Sequence, residues 1–261
     1  MADLSGERIV VTGGGNGIGL ATAVDLLQRH AEVIILDLNV ELARQYVSGE
    51  GTPPGLHYFE IDITNRDALF ILAEKIEREI GAVTGLVTCA GITHPAPSAT
   101  MSAEIWHKVL RVNLDGTFFA CQAFGAAMMA HGRGAIVTVS SALGLSAQEG
   151  RANYIASKWG VIGITKTLAI EWAARNVRVN CVAPGPVATA LFQKLPEEFR
   201  ERVVYSRTPL GRAAEVEEVA QAIAFLLSRE SSFINGSVLT VDGGYTCGHG
   251  TDMARLISRS S

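Results

Sequence analysis

The stretch that most restricts this chain lies near its start, where RIVVT (residues 8–12) runs into a glycine cluster and then into a segment of helical periodicity. β-Branched residues suit a strand. Apolar residues recurring every three to four positions over 17–29 suit an amphipathic helix. A strand that feeds a helix through so short a turn commits the next strand to lie parallel to the first, because the helix carries the chain back to the starting edge. The alternation then repeats. EVIILD (32–37) is a second strand, followed by a helix over 40–47 and a loop over 49–55 that holds Pro53 and Pro54. A third strand over 57–61 leads to a helix that Asn65 can cap and that runs to about residue 80. The fourth strand covers 85–89, and a long helical region over 102–131, broken near Asn113, delivers the fifth at 135–140. A helix over 153–174 and a strand over 177–182, stopped by Pro184, Gly185 and Pro186, come next. A charge-rich segment over 189–212, a helix over 215–227 and a last strand over 238–241 complete the pattern.

Strands alternating with helices predict an α/β fold: a doubly wound, mostly parallel seven-stranded sheet with helices on both faces, joined by right-handed crossovers. A length of 261 residues suits a single domain over 1–261. Its 48% hydrophobic and 18% charged content is that of a globular chain, and a formal charge of −4 gives no footprint for nucleic acid or an anionic membrane. Neither partner is expected. No apolar run reaches the roughly 18 residues needed to span a bilayer, and the first residues lack a secretory pattern, so the expected location is the cytoplasm. Cys89, Cys121, Cys181 and Cys247 are scattered, without metal-ligand spacing. They read as reduced, mostly buried thiols, and no metal is expected.

Ligands of doubly wound sheets bind beyond the carboxyl ends of the strands, where strand order reverses. The motifs gather at that edge. TGGGNGIG (12–19) sits between strand and helix, the context a phosphate-cradling turn requires. Gly13 permits the tight turn, Gly17 lets the backbone approach a pyrophosphate, and Gly19 lets helix and strand pack closely. Asp37 follows Gly19 by 18 residues, at the end of the second strand, where a carboxylate can accept from an adenosine ribose diol. The same carboxylate repels a 2′-phosphate, and Asn16 brings no positive charge to rescue one. NAD is therefore expected over NADP.

NYIASK (153–158) places a phenol and an ammonium at i and i+4 of a helix, so Tyr154 and Lys158 share a face. A free tyrosine titrates near pH ~10. A neighbouring cation favours the phenolate, and the pair can then pass protons near neutral pH. Alone, such a pair is more often a partly exposed aromatic beside a solvated charge. Ser141 changes the balance, because it follows a strand and precedes Tyr154 by 13 residues, so a loop at the sheet edge can bring its hydroxyl to the phenol.

TGGGNGIG, Asp62, Cys89-Ala90-Gly91, Asn113, Ser140-Ser141, Tyr154-x-x-x-Lys158 and Pro184-Gly185 fall in an order and spacing that resembles the short-chain dehydrogenase/reductase family over nearly the whole chain. The glycine spacing resembles its short, single-domain, Rossmann-type branch. The resemblance implies that Tyr154 is the acid/base, that Lys158 binds the nicotinamide ribose and lowers the phenol's pKa, and that Ser141 holds the substrate oxygen. It implies that Asn113 interrupts a helix and holds a water linking the lysine to solvent. It implies cofactor contacts from Gly13, Asn16, Gly17, Ile18 and Gly19, from Asp37 and Leu38, from Asp62 and Ile63 at the adenine edge, and from Ala90 and Gly91 beneath the ribose. Pro184, Gly185, Val187 and Thr189 match positions around the nicotinamide carboxamide. It also implies a homotetramer that pairs the helices holding Asn113 and Tyr154, with a small-molecule substrate.

Two positions depart from the family pattern. Cys89 stands where an Asn is usual, so a local change in the sheet is expected. Ala31 replaces a helix-ending glycine, so His30 or Ala31 must make that turn. His94, His107, His131 and His249 lack a second ligand at useful spacing and read as surface or helix-end residues, although His94 follows the Cys89-Ala90-Gly91 turn and can face substrate. Arg175, Arg178, Arg200, Arg202, Arg207 and Arg212 read as a solvated face. Substrate contacts are expected from His94, Ser141, Leu143, Gln148, Tyr154 and Phe192. These lie in the loop over 143–151, the turn at Thr93 and His94, and a lid-like segment over 189–212, where Leu191, Phe192 and Leu195 offer apolar surface. A tail follows over 246–261. The expected activity is NAD-dependent interconversion of a secondary alcohol (a sugar, polyol, cyclic alcohol or hydroxy acid or ester) and its ketone. The rival readings are an NADP-dependent reductase of a carrier-bound 3-ketoacyl group and a non-catalytic nucleotide-sensing or scaffold protein.

Overall fold

A computed structural model describes residues 2–47 and 53–248. Loop positions 49–52, His249 and the tail from 249 onward lie outside the described residues, as do the side chains of Leu191 and Arg202. Seven strands are described: β1 (Arg8–Thr12), β2 (Glu32–Asp37), β3 (Leu56–Glu60), β4 (Gly85–Thr88), β5 (Gly134–Val139), β6 (Val177–Pro184) and β7 (Val238–Val241). They form one sheet in the order β3-β2-β1-β4-β5-β6-β7, parallel throughout. Between them run α1 (Gly17–Gln28), α2 (Glu41–Val47), α3 (Arg66–Glu79), α4 (Ala103–Leu110), α5 (Gly116–His131) and α6 (Ala152–Trp172). Two short turns, α7 (Ala190–Gln193) and α8 (Glu197–Phe199), precede α9 (Val216–Leu227).

The period-2 pleat sorts the core into two layers. Ile9, Val11, Val33, Ile35, Val87 and Val137 belong to a cluster that includes Ala23 and Leu26 of α1 and Val219 and Ile223 of α9. Their neighbours Val10, Ile34, Leu36, Leu86 and Ile136 pack on the other face with Leu69 and Ile76 of α3, Phe124 of α5 and Trp172 of α6. Both faces are therefore dry, which is why the strands read as unbroken apolar runs.

Local chemistry sets the helix ends. Asn65 Oδ1 accepts from Ala68 N at 3.1 Å, and Ser102 Oγ accepts from Ile105 N at 3.2 Å. His30 takes the left-handed conformation (φ 67°) that ends α1, as expected once Ala31 replaces a glycine. At the reversal of strand order, β1 and β4 are neighbours, and the turns that follow them define the crevice.

Two expectations need correction. β6 does not stop before Pro184. It pairs with β7 through Pro184↔Val241, because a proline in the last strand position forfeits only one terminal ladder bond. Arg178 is not part of a solvated face. It is half-buried, and its guanidinium donates to the carbonyls of Leu226, Leu227, Ser228 and Ile234 at 3.0–3.4 Å. Three of them lie at the end of α9, where carbonyls outnumber helical donors and a cation is favourable, the fourth lies in the loop beyond, and burial lowers the guanidinium's pKa.

Candidate active site

The glycine turn is fixed by its neighbours on both sides. Gly13 has φ 67°, and a Cβ there would lie 2.5 Å from Ala90 N, so only glycine lets the β1 and β4 turns touch. A Cβ on Gly19 would lie 2.1 Å from Gly13 O. Asp37, at the end of β2, accepts from Gly15 N at 2.9 Å through Oδ2 and from Asn39 N at 3.2 Å through Oδ1. Gly15 is as constrained as its neighbours, since a Cβ would sit 2.8 Å from that carboxylate. Sequence reasoning passed over Gly15, although three successive glycines before Asn16 signalled that the backbone there is crowded. Leu38 is 71% exposed beside the carboxylate.

Beyond the end of β3, Asp62 is exposed and accepts from Thr64 N at 2.9 Å. Ile63 is buried against Gly116, where a Cβ would meet its Cδ1 at 2.6 Å. At the opposite end, Gly185 packs on Asp242, with a Cβ position only 2.7 Å from Asp242 Cα. Ala188 N donates to Ala214 O at 2.8 Å, and Val187 is buried. Thr189 caps α7 through Phe192 N at 3.3 Å, and its methyl lies 3.5 Å from the Cβ position of Gly17. The segment after β6 thus returns to the glycine turn.

Between α4 and α5 the helix widens into a π-turn over Arg111–Asp115. This is the interruption expected near Asn113, and it sets that residue's fully buried side chain across the β4 turn. Asn113 Oδ1 accepts from Ile92 N at 2.8 Å, while Nδ2 donates to Ile92 O at 2.9 Å and to Ser157 Oγ at 3.0 Å. Both amide protons are committed to protein partners. Its main-chain carbonyl accepts from Thr117 Oγ1 at 2.8 Å.

Lys158 is 5% exposed. Its Nζ donates to Val139 O at 2.9 Å and lies 5.8 Å from the centroid of the Tyr154 ring. A Cβ on Gly91 would come within 3.5 Å of that Nζ and 3.4 Å of Asn113 Oδ1, so a side chain at this position would crowd both atoms. Ser140 Oγ donates to Lys158 O at 2.8 Å, tying α6 to the end of β5. Ser141 is half-buried, and its Oγ accepts from Leu143 N at 3.1 Å, which leaves its proton to donate. The supporting Val139 carbonyl, Ser140 and Ser157 carry no motif of their own, so spacing does not single them out.

The loop after β4 and the loop before α6 are cross-linked. Arg151 Nη1 donates to Thr93 Oγ1 at 2.9 Å, Asn153 Nδ2 to His94 O at 3.1 Å, and Ala96 N to Gly150 O at 2.9 Å. His94 itself is exposed, Leu143 and Gln148 are half-buried, and the Phe192 ring lies 6.3 Å from that of Tyr205. His107 is exposed, and His131 pairs with Glu77 at 2.8 Å on the surface. No group of three metal-ligating side chains occurs among the described residues. No described helix is long and apolar enough to cross a membrane.

Beneath the site, the Cys89 thiol is pushed up to about 12 by burial, against the pull of the Lys158 charge and a hydrogen bond from Thr22. The buried hydroxyls of Thr12 and Thr88, on register partners of β1 and β4, have no partner among the described residues.

A dinucleotide fits what is present. The glycine turn offers a surface that side chains would fill, Asp37 retains acceptor capacity beyond its two backbone bonds, and Lys158 makes no protein hydrogen bond besides Val139 among the described residues.

A family model described as enoyl-(acyl carrier protein) reductase matches residues 13–246. A 3-oxoacyl-[acyl-carrier-protein] reductase of Thermotoga maritima is 43% identical over 92% of this chain and 98% of its own length. A D-threitol dehydrogenase of Mycolicibacterium smegmatis is 38% identical over 93% of this chain and 94% of its own. Among solved structures, a gluconate 5-dehydrogenase from Burkholderia cenocepacia in complex with NADP and tartrate superposes with a TM-score of 0.88 at 34% identity, covering 94% of this chain and 97% of that one. With the sheet order, the glycine turn and the Tyr154 and Lys158 pair in place, these matches show that the chain belongs to the short-chain dehydrogenase/reductase family, whose members use nicotinamide dinucleotide cofactors.

Proposed function

We propose that this protein interconverts a secondary alcohol and the corresponding ketone, with NAD as its preferred cofactor. One observation carries the chemistry: a buried Lys158 ammonium, held by Val139 O, lies 5.8 Å from the ring of Tyr154 on the same helix. Tyr154 takes the hydroxyl proton in oxidation and returns it in reduction. Ser141 donates to the substrate oxygen and holds it at the phenol. A nicotinamide dinucleotide held by the glycine turn, Asp37 and Lys158 would supply the hydride chemistry. Lys158 would hold the ribose with its remaining N–H donors, and Asn113 is proposed to hold a water that links the lysine to solvent. The chain's main contribution is to align these groups.

The preference for NAD rests on Asp37. Its carboxylate faces the glycine turn and has no cationic partner among the described residues, so a 2′-phosphate there meets like charge. The second reading, an NADP-dependent reductase of a carrier-bound ketone, is favoured by the Thermotoga relative's activity and by the NADP in the Burkholderia structure. Turnover of a panel of polyols, hydroxy acids and 3-ketoacyl thioesters, followed by nicotinamide absorbance with NAD and NADP in parallel, separates the two. Faster reduction of the thioesters with NADP would establish the second reading.

The active unit is proposed to be a homotetramer. Trp159 (55% exposed) and Ile170 (80%) share a stripe of α6 with the open Gly163, and Phe118 of α5 is also exposed. A second copy covers these groups by pairing the same two helices. Sedimentation velocity checks the mass.

A further inference from the structure

Arg151 stands three residues before Tyr154, immediately ahead of α6. Its carbonyl accepts from Ile155 N at 2.9 Å, which fixes its Cα one turn below the phenol. From there the side chain crosses to the opposite loop and donates through Nη1 to Thr93 Oγ1 at 2.9 Å. The links from Asn153 to His94 O and from Ala96 N to Gly150 O hold the same two loops together, so the guanidinium is anchored at their junction.

Arg151 is half-buried, and among the described residues its guanidinium has neither a carboxylate partner nor a second hydrogen bond. Three buried or half-buried arginines are matched. Arg29 pairs with Asp25 at 2.8 Å, Arg8 with Glu32, and Arg178 with four carbonyls. Removing a guanidinium from water without an anion is unfavourable, and a planar fork with four unused N–H donors suits a carboxylate. Thr93 Oγ accepts from Arg151 and keeps its own proton to donate.

We propose that Arg151 and Thr93 read a carboxylate on the substrate, so that the preferred alcohol is a hydroxy acid rather than a neutral polyol. The inference rests on the dehydrogenase reading above. Arg151 is the N-cap of α6, and Tyr154 lies in the first turn of that helix. A carboxylate on Arg151 therefore belongs to the same small molecule whose carbinol reaches Tyr154, a few carbons away.

The test uses the full chain loaded with NADH, titrated calorimetrically with tartrate and with threitol, its neutral four-carbon counterpart. Wild type is expected to bind tartrate tighter. Arg151→Gln should weaken tartrate by about 10- to 100-fold and leave threitol unchanged, and Arg151→Lys should recover part of the loss. Equal affinity for the two ligands in wild type overturns the proposal, as does an equal loss of both in Arg151→Gln. Hydroxy-acid turnover is then compared, with KM expected to rise in Arg151→Gln at little cost in kcat. Absence of turnover with every alcohol would sink the dehydrogenase reading. The tartrate comparison stands independently of that result.

Discussion

Asn113 and Ile92 hold each other through a two-way hydrogen bond, in which one side-chain amide accepts from the Ile92 N–H at 2.8 Å and donates to its carbonyl at 2.9 Å. The π-turn is what permits this, because a regular helix would carry the side chain past the β4 loop rather than across it. Asn113→Ala leaves both Ile92 groups and Ser157 Oγ short of a partner. The expected loss is about 2–4 kcal/mol of stability, read as a lower urea midpoint with an unchanged slope. Asn113→Asp keeps the acceptor but loses both donors, so it should rescue only part of that loss.

Tyr154→Phe removes one oxygen from a half-buried helix position and leaves the packing of the ring in place. Turnover should fall by roughly 10²–10⁴-fold or more, the range for loss of a general acid/base. Cofactor affinity, followed by quenching of Trp fluorescence, should change little. Wild-type turnover in this variant would remove Tyr154 from the proton path.

Asp37 is expected to serve two ends, holding the glycine turn and opposing a 2′-phosphate. Asp37→Ser loses the acceptor for Gly15 N and Asn39 N and also the charge that opposes a 2′-phosphate. We expect kcat/KM with NAD to drop by about 10- to 100-fold and the NADP-to-NAD ratio to rise. An unchanged ratio would show that the carboxylate serves only the turn.

The four thiols should behave unequally. Burial pushes Cys89 and Cys121 up to about 12 and raises Cys181 as well, so these stay protonated at pH 8. Cys247 is exposed. Iodoacetamide at pH 8 is expected to modify Cys247 in the native protein and all four cysteines after denaturation, as counted by intact mass. Labelling of native Cys89 would show that the β4 turn opens.

Where the sequence was read correctly, a short-range rule was at work. β1, β2 and β7 run over the residues their apolar content marks, and Asn65 caps α3 because an Asx side chain beside a helix start has few better options. Arg178 shows the limit of such rules. Its flanking residues describe an exposed charge, yet β6 and the end of α9, about fifty positions apart in sequence, bring it to four carbonyls. Pro184 likewise marks a strand end, but the strand continues through it since only the edge of the ladder is affected.

The site divides along the same line. Gly13, Gly17, Gly19, Asp37, Tyr154 and Lys158 are legible because each sits at a fixed spacing from a strand end or from another motif residue, and local geometry follows from spacing. Val139 O under Lys158, Ile92 against Asn113, and Thr93 against Arg151 are pairings across 19, 21 and 58 positions. Only the crossovers and the order of the parallel strands bring those atoms together. The sequence alone determined the sheet, the glycine turn and the placing of Tyr154 and Lys158 on one helix, whereas the tertiary structure decided which backbone groups hold Lys158 and where the Arg151 guanidinium is anchored, since long-range pairings depend on topology that no local pattern encodes.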